Sequence, residues 1–246
     1  MNTVLSLIVL ILQNDLKVDA NYILATYFLR NANVLEDKNI QTIAQECHVS
    51  TNTVLRFCQL LGFPTFKNFK TSFISTTNTR KKQLKEKNEK ALSFISEESQ
   101  LFHDHKFSFI EKQLEPIIKC IKELKIVHLY GATYPLALAQ SFIEDMATLG
   151  IIVYIHQLNY EAKELQDRDG LNIIITYSGR FIEVNQDEYK QIRSQKNPVA
   201  LISKINHQLQ DIDYQVILPQ IPISYLDDII TMMIYDYITI KCSEDL

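Results

Sequence analysis

Between residues 50 and 59 the chain carries hydrogen-bonding side chains in a spacing suited to reading base edges. Thr51, Asn52, Thr53, Arg56 and Gln59 fall on one side of a helical pattern whose other side is Val54, Leu55, Phe57, Cys58 and Leu61. Asn and Gln amides can pair bidentately with adenine and an Arg guanidinium with guanine, while Ser and Thr hydroxyls meet bases or phosphates. Ser50 or Thr51 can cap this helix. Lys67, Asn68 and Lys70 follow Gly62-Phe63-Pro64, where Gly ends the helix and Pro prevents its continuation. Cations there suit phosphate contacts, which set register without reading sequence. The expected DNA-facing set is therefore Ser50, Thr51, Asn52, Thr53 and Arg56, with Lys67 and Lys70 on the backbone. Taken singly, each is also what a solvated helix surface shows.

The elements around this helix must hold it out toward a groove. Ile40, Ile43, Ala44 and Cys47 share one face of a preceding short helix, with Asn39 as its N-cap. His48 falls at the turn, a position of positive φ that usually takes Gly and that His tolerates better than most residues. Val49 fills the gap between the helices, and the small Ala44 sits where they cross. Two helices and a tight turn of this kind make a helix-turn-helix, with the second helix entering the major groove. Helical patterns at Val4–Leu12, Ala20–Asn31 and Phe66–Ser75 complete a bundle. The first of these is apolar nearly all round, so part of it can cover a second subunit; it is too short to span a bilayer.

The string TIAQECHVSTNTVLRFCQLLGFPTFKNFK resembles the N-terminal domain of the RpiR family of bacterial transcription regulators. The specific part is the continuation Val54-Leu55-Arg56-Phe57-Cys58, then Leu61-Gly62-Phe63, Phe66, Phe69 and Lys70. The resemblance implies a helix-turn-helix bundle over residues 1–76, a linker over 77–106 and a C-terminal sugar isomerase (SIS) domain over 107–246. It implies a DNA-binding regulator of sugar or amino-sugar metabolism genes.

Composition agrees with two modest domains. Of 246 residues, 46% are hydrophobic, enough for packed cores. The net charge of −4 hides an asymmetry: residues 1–90 hold 12 Lys and Arg against 7 Asp and Glu, whereas residues 91–246 hold 13 against 22. A basic head on an acidic body fits nucleic-acid binding by the head alone. The segment Thr76–Lys90 has almost no apolar side chains and reads as a linker, a solvated helix or a flexible stretch. Cys47, Cys58, Cys120 and Cys242 form no CxxC pair and no ligand spacing with His, so a reduced cytoplasmic protein without structural metal or cofactor is expected.

The C-terminal half alternates short β-rich runs (Ile126–Tyr130, Ile151–His156, Asn172–Tyr177, Val199–Ser203, Gln215–Leu218) with helical patterns at Phe107–Leu124, Leu136–Thr148, Glu161–Asp167, Glu183–Ser194, Ile205–Gln210 and Tyr225–Lys241. That pattern predicts a three-layer αβα fold with a five-stranded parallel sheet and ligands at the carboxyl ends of the strands. This half resembles an SIS domain. Thr176-Tyr177-Ser178-Gly179-Arg180 is similar to the family's S-x-S-G-x-T phosphate loop, and Gly131-Ala132-Thr133-Tyr134-Pro135 stands where members carry G-x-G-S-S. The resemblance implies a ligand set of Gly131, Thr133, Tyr134, Thr176, Ser178, Gly179 and Arg180 for a sugar phosphate or other anionic effector. The first loop departs from the pattern at Thr133, Tyr134 and Pro135, and the second at Phe181. Tyr134 and Phe181 are expected to narrow or fill the pocket, with Arg180 supplying replacement charge.

No catalytic residue is assigned. Glu144, Asp145, Glu183 and His207 are the general-base candidates near the predicted pocket, and none sits in a distinctive motif. The expectation is a regulator that pairs with operator DNA as a homodimer or higher homo-oligomer, with no membrane. The competing readings are an SIS domain that serves only as a dimerisation module and a phosphosugar isomerase.

Overall fold

The computed structural model describes residues 4–14, 18–98, 107–131, 133–156, 169–206, 212–220 and 225–244. The chain opens with helices α1 (Val4–Asn14), α2 (Ala20–Arg30), α3 (Ile40–Glu46), α4 (Thr51–Leu60) and the long α5 (Phe66–Glu98). The body runs α6 (Phe107–Leu124), β1 (Ile126–Gly131), α7 (Thr133–Ala137), α8 (Gln140–Thr148), β2 (Ile152–His156) and β3 (Leu171–Thr176). It ends with α9 (Arg180–Val184), α10 (Gln186–Ser194), β4 (Val199–Ser203), β5 (Tyr214–Ile217) and α11 (Tyr225–Ser243).

The five-stranded parallel sheet expected from the sequence is present, in the order β2-β1-β3-β4-β5. Fully buried strands such as Leu171–Thr176 read as continuous apolar runs because both faces are covered. On one face Val127, Leu129, Ile173 and Ile175 join Ile117 and Ile121 of α6, Phe142 and Met146 of α8, and Ile234 and Ile238 of α11. On the other, Tyr130, Ile174, Val199 and Leu201 pack with Phe181 of α9 and Ile192 of α10. The strand order reverses between β1 and β3, so the crevice at their carboxyl ends is the natural ligand position of an open α/β sheet.

Two single expected helices are each two. Residues 136–148 divide into α7 and α8, with Pro135 in the first turn of α7, where the missing N–H costs least. Residues 183–194 divide at Asn185, whose backbone and side-chain amides both donate to Phe181 O (2.9 and 3.1 Å) and so close α9. Of the expected helix over 205–210, Ile205 and Asn206 are not helical and the rest lies outside the described residues, as does 161–167. The helix expected to stop at Ser75 continues to Glu98. No Gly or Pro interrupts it, and the spacing Glu86 to Lys90 is of the favourable i, i+4 type. The expected boundary at residue 76 therefore falls inside a continuous helix.

The head packs directly on the body. Its core is a phenylalanine cluster: Phe28 meets Phe69 edge to face (ring centroids 4.7 Å apart) and Phe57 in a stack (5.6 Å), and Phe69 stacks on Phe73 (5.8 Å). The all-round apolarity of α1 has its reason here, since α1 lies between α2 and α5 on one side and α8 and β2 on the other. At the end of α1, Gln13 lies along β2, the edge strand. Its Nε2 donates to Val153 O (2.6 Å), and its Oε1 accepts from Ile155 N (3.0 Å). A side-chain amide thus stands in for a neighbouring strand and protects an edge that would otherwise be free to pair. Gln13→Ala is expected to lower unfolding free energy by about 1–2 kcal/mol and to raise the tendency to aggregate. Denaturant unfolding and light scattering check both, and an unchanged transition midpoint would sink the expectation.

Candidate nucleic-acid interface and ligand crevice

The turn between α3 and α4 has the geometry that its residues imply. Asn39 caps α3, its Oδ1 accepting from Thr42 N (2.8 Å), and His48 adopts φ 55°. Val49 N donates to Ala44 O (2.9 Å) across the close helix crossing. Of the two capping candidates the structure uses Ser50, whose Oγ accepts from Thr53 N (3.1 Å) and also meets Thr53 Oγ1 (2.8 Å). Thr51, Asn52, Arg56 and Gln59 are exposed on one side of α4, while Val54, Phe57 and Cys58 are buried on the other. Thr53 is half-buried, and both it and Ser50 are occupied by the cap.

The two flanking lysines have different surroundings. Lys67 is exposed in the first turn of α5, which Thr65 caps by accepting from Asn68 N (3.1 Å); Thr65 was not among the residues singled out from the sequence. The Lys70 ammonium donates instead to Glu36 O and Lys38 O (2.8 Å for the latter), tying α5 to the segment before α3. The nearby acid Glu46 is paired with Lys38 and accepts from the Tyr27 hydroxyl; the hydrogen bonds from Lys38 and then Tyr27 hold its carboxyl below the usual range. Burial pushes the thiols of Cys47 up to about 11 and Cys58 up to about 12, leaving both as small core hydrophobes.

The two loops expected to hold a ligand meet at the carboxyl ends of β1 and β3. Gly131 has φ 153°, and a Cβ there would lie 2.3 Å from Ile175 O, so only glycine lets the first loop leave β1 beside β3. Thr133 and Tyr134 form the first turn of α7. In the second loop Thr176 is buried and its Oγ1 accepts from Phe181 N (3.3 Å), Ser178 is exposed, and Gly179 takes φ 71° at the start of α9. Arg180 is the first residue of that helix. The structure thus gathers the backbone positions of the expected ligand set at one crevice.

Phe181 does not fill that crevice. Its ring is buried beneath the loop with Tyr130, Ile174 and Ile192, because α9 turns it inward. Tyr177 reaches α11 instead: its hydroxyl meets Thr231 Oγ1 at 2.7 Å and donates to Asp227 O at 3.3 Å, and burial pushes it up to about 12. Lys204, just past β4, pairs with Asp227 at 2.7 Å, the two being 15% and 7% exposed. These four residues were missed from the sequence; the only signal was the i, i+4 spacing of Asp227 and Thr231. Among the general-base candidates, Glu144 accepts from Ser6 Oγ (3.0 Å) and Asp145 from Arg80, so both face the head, while Glu183 is exposed and His207 lies outside the described residues.

A second groove, of about 400 Å³, lies at the opposite end of the strands, by the amino ends of β1 and β2, between Arg30 and Asn33 of the head and Lys125 and Gly150 of the body. Among the described residues no group of three His, Cys, Asp or Glu is placed to hold a metal ion, and no helix is long and apolar enough to cross a membrane.

Residues 13–80 match the helix-turn-helix domain of the rpiR family. No curated protein matches the sequence. Among solved structures, the Vibrio vulnificus NanR protein complexed with ManNAc-6P is 14% identical and superposes with a TM-score of 0.45, covering 96% of this chain and 90% of NanR. A crystal structure of a hypothetical protein is 15% identical with a TM-score of 0.42, covering 61% of this chain and 85% of its own.

Two outcomes follow from the geometry. His48→Gly relieves a left-handed conformation at a non-glycine residue and is expected to raise stability by about 0.5–1 kcal/mol, whereas His48→Val is expected to lower it; chemical denaturation distinguishes them. His156, near the first loop, is buried, with Nε2 3.0 Å from His128 Nδ1, and burial followed by the neighbouring His128 pushes it down from 6.5 to about 3. The unfolded chain therefore takes up a proton at this residue before the folded one does. Its contribution is fully present above pH 6.5 and is lost as pH falls toward 3, at roughly 1.4 kcal/mol per pH unit. A His156→Gln variant is expected to show a shallower acid limb in unfolding free energy against pH. Equal slopes for the two proteins would remove His156 as a cause.

Proposed function

From an N-terminal part whose residues 13–80 match the rpiR helix-turn-helix model, we propose that the chain is a DNA-binding transcription regulator whose α/β body senses a small anion. The observation that carries this reading is the uncommitted face of α4, where Thr51, Asn52, Arg56 and Gln59 stand exposed above a packed phenylalanine core. Arg56, Asn52 and Gln59 have the donors and acceptors that read guanine and adenine in the major groove, and Thr51 and Lys67 are placed for phosphates. Lys70 and Ser50 serve the head by holding its segments in place. Operators read by such heads carry two half-sites, so the working unit is a homodimer or higher homo-oligomer. A cytoplasmic location goes with this role.

The crevice between β1 and β3 is the effector site in this reading, with Gly131, Thr133, Tyr134, Thr176, Ser178, Gly179 and Arg180 around a sugar phosphate, an amino-sugar phosphate included. The chain acts as a regulator rather than an isomerase, a reading supported by Glu144 and Asp145 turning toward the head. The commitment of Lys204 to Asp227 and of Tyr177 to α11 favours a second reading, in which the body holds the heads in place without a small ligand.

Fluorescence anisotropy with the gene's own upstream DNA tests the first claim. Binding is expected to weaken steeply with salt, and Arg56→Ala to cost about 1–3 kcal/mol at the specific site. Affinity indifferent to both sequence and Arg56 would overturn it. A thermal-shift screen with sugar phosphates, N-acetylmannosamine 6-phosphate among them, separates the two readings of the body. Stabilisation by any one of them supports the sensor, and none across the panel supports the scaffold.

A further inference from the structure

Arg80 of α5 and Asp145 of α8 join the two halves of the molecule through charge. Arg80 Nε stands 2.5 Å from Asp145 Oδ1, and its Nη2 stands 3.4 Å from Ser141 Oγ. Asp145 is 1% exposed, so its charge is out of water and depends on a partner held in register. Ser6 of α1, a neutral donor, bonds Glu144 of α8, and Gln13 and Tyr22 anchor the head to β2, Tyr22 through Tyr154 (2.5 Å). Arg80 lies on α5, which like α2 enters the core beneath α4, and of these contacts it is the one made to a buried carboxylate.

The position of Asp145 gives the contact its meaning. Helix α8 follows the first ligand loop with only α7 between them. The loop is fixed at Gly131 against Ile175, and Pro135 O accepts from the Tyr235 hydroxyl (3.1 Å), whose ring stacks on Phe142 of α8 (4.8 Å). Loop, α8 and α11 are therefore one packed unit. At the other end, Phe69 and Phe73 of α5 pack on Phe28, and Phe69 also on Phe57 of α4 (6.2 Å).

We propose that Arg80 is a positioning residue that passes the state of the first ligand loop to the reading helix. Displacement of the loop carries α8 and Asp145, and Arg80 makes α5 follow, with Phe69 and α4 moving on it. This rests on α4 being the DNA-reading helix and the loop being the effector end. Coupling of this kind needs an element with two arrangements that both sites bias, and α5 is the element assigned that part.

The test perturbs the end of the loop, at the first turn of α7, with Pro135→Gly, and with Pro135→Ala as a milder change. The coupling is removed with the pair Arg80→Gln and Asp145→Asn, which takes away both charges together. Wild type, the loop variants, the charge-free pair and the combinations are compared in two ways: hydrogen exchange over residues 51–60 of the free protein, and affinity for the upstream DNA. The expected result is a change of about fivefold or more from the loop variants in both readouts, falling below about twofold in the charge-free background and returning with Arg80→Lys. A loop effect that persists undiminished without the charges overturns the proposal. So does unchanged exchange over 51–60 in a loop variant whose α8 exchange has changed. If no DNA is bound but the exchange pattern is as expected, the coupling stands and the DNA-reading assignment fails.

Discussion

Helix α5 contributes to two cores, and most of the architecture follows from that constraint. Its first turns place Phe69 and Phe73 among the phenylalanines of the head, while Thr77 and Leu84 further along are buried and the helix touches α8 and α11 of the body. A straight helix is stiff over this length, so the reading helix and the α/β body are held in a defined relation by one element. Apolar packing of α1 on α8 and β2 adds to this joint, and the contacts through Gln13, Tyr22, Ser6 and Arg80 are polar and directional. They set an angle as well as contributing stability.

The head shows how one sequence string serves two purposes. Phe57, Phe63, Phe66 and Phe69 are the hallmark phenylalanines of the string and also the packing partners that orient α4 and the start of α5. Between them lie the polar residues that face outward. Because the apolar set fixes the rotation of α4, Thr51, Asn52, Arg56 and Gln59 come to one side without any further contact. Ser50 and Thr53 bond each other at the cap, and Lys70 bonds backbone carbonyls, so the exposed polar face is narrower than the run of polar residues suggests.

The body shows how a loop pattern can be kept in backbone and altered in side chains. Gly131 and Gly179 retain the conformations that let two loops approach at the β1–β3 switch point. Around them Tyr177, Lys204, Asp227 and Thr231 form a buried polar cluster that spans β3, β4 and α11. Such a cluster leaves less uncompensated positive charge at the crevice than a set of hydroxyls and free cations would.

The sequence by itself determined the turn at His48, the cap at Asn39, a cap at Ser50 or Thr51, the five strands and the glycines of both loops, since each depends on local backbone preference or on apolar periodicity. It did not disclose that Phe181 turns inward, that Lys70 is spent on carbonyls or that residues 76–85 are anchored to the body. Those outcomes depend on which distant residue meets which: Glu36 and Lys38 for Lys70, Ile192 for Phe181, Asp145 for Arg80. A charged stretch such as Thr76–Lys90 reads as solvated from its composition, and only the fold could bring a buried carboxylate to Arg80. Periodicity fixes which face of an element is apolar; tertiary structure decides which polar groups on the other face find partners.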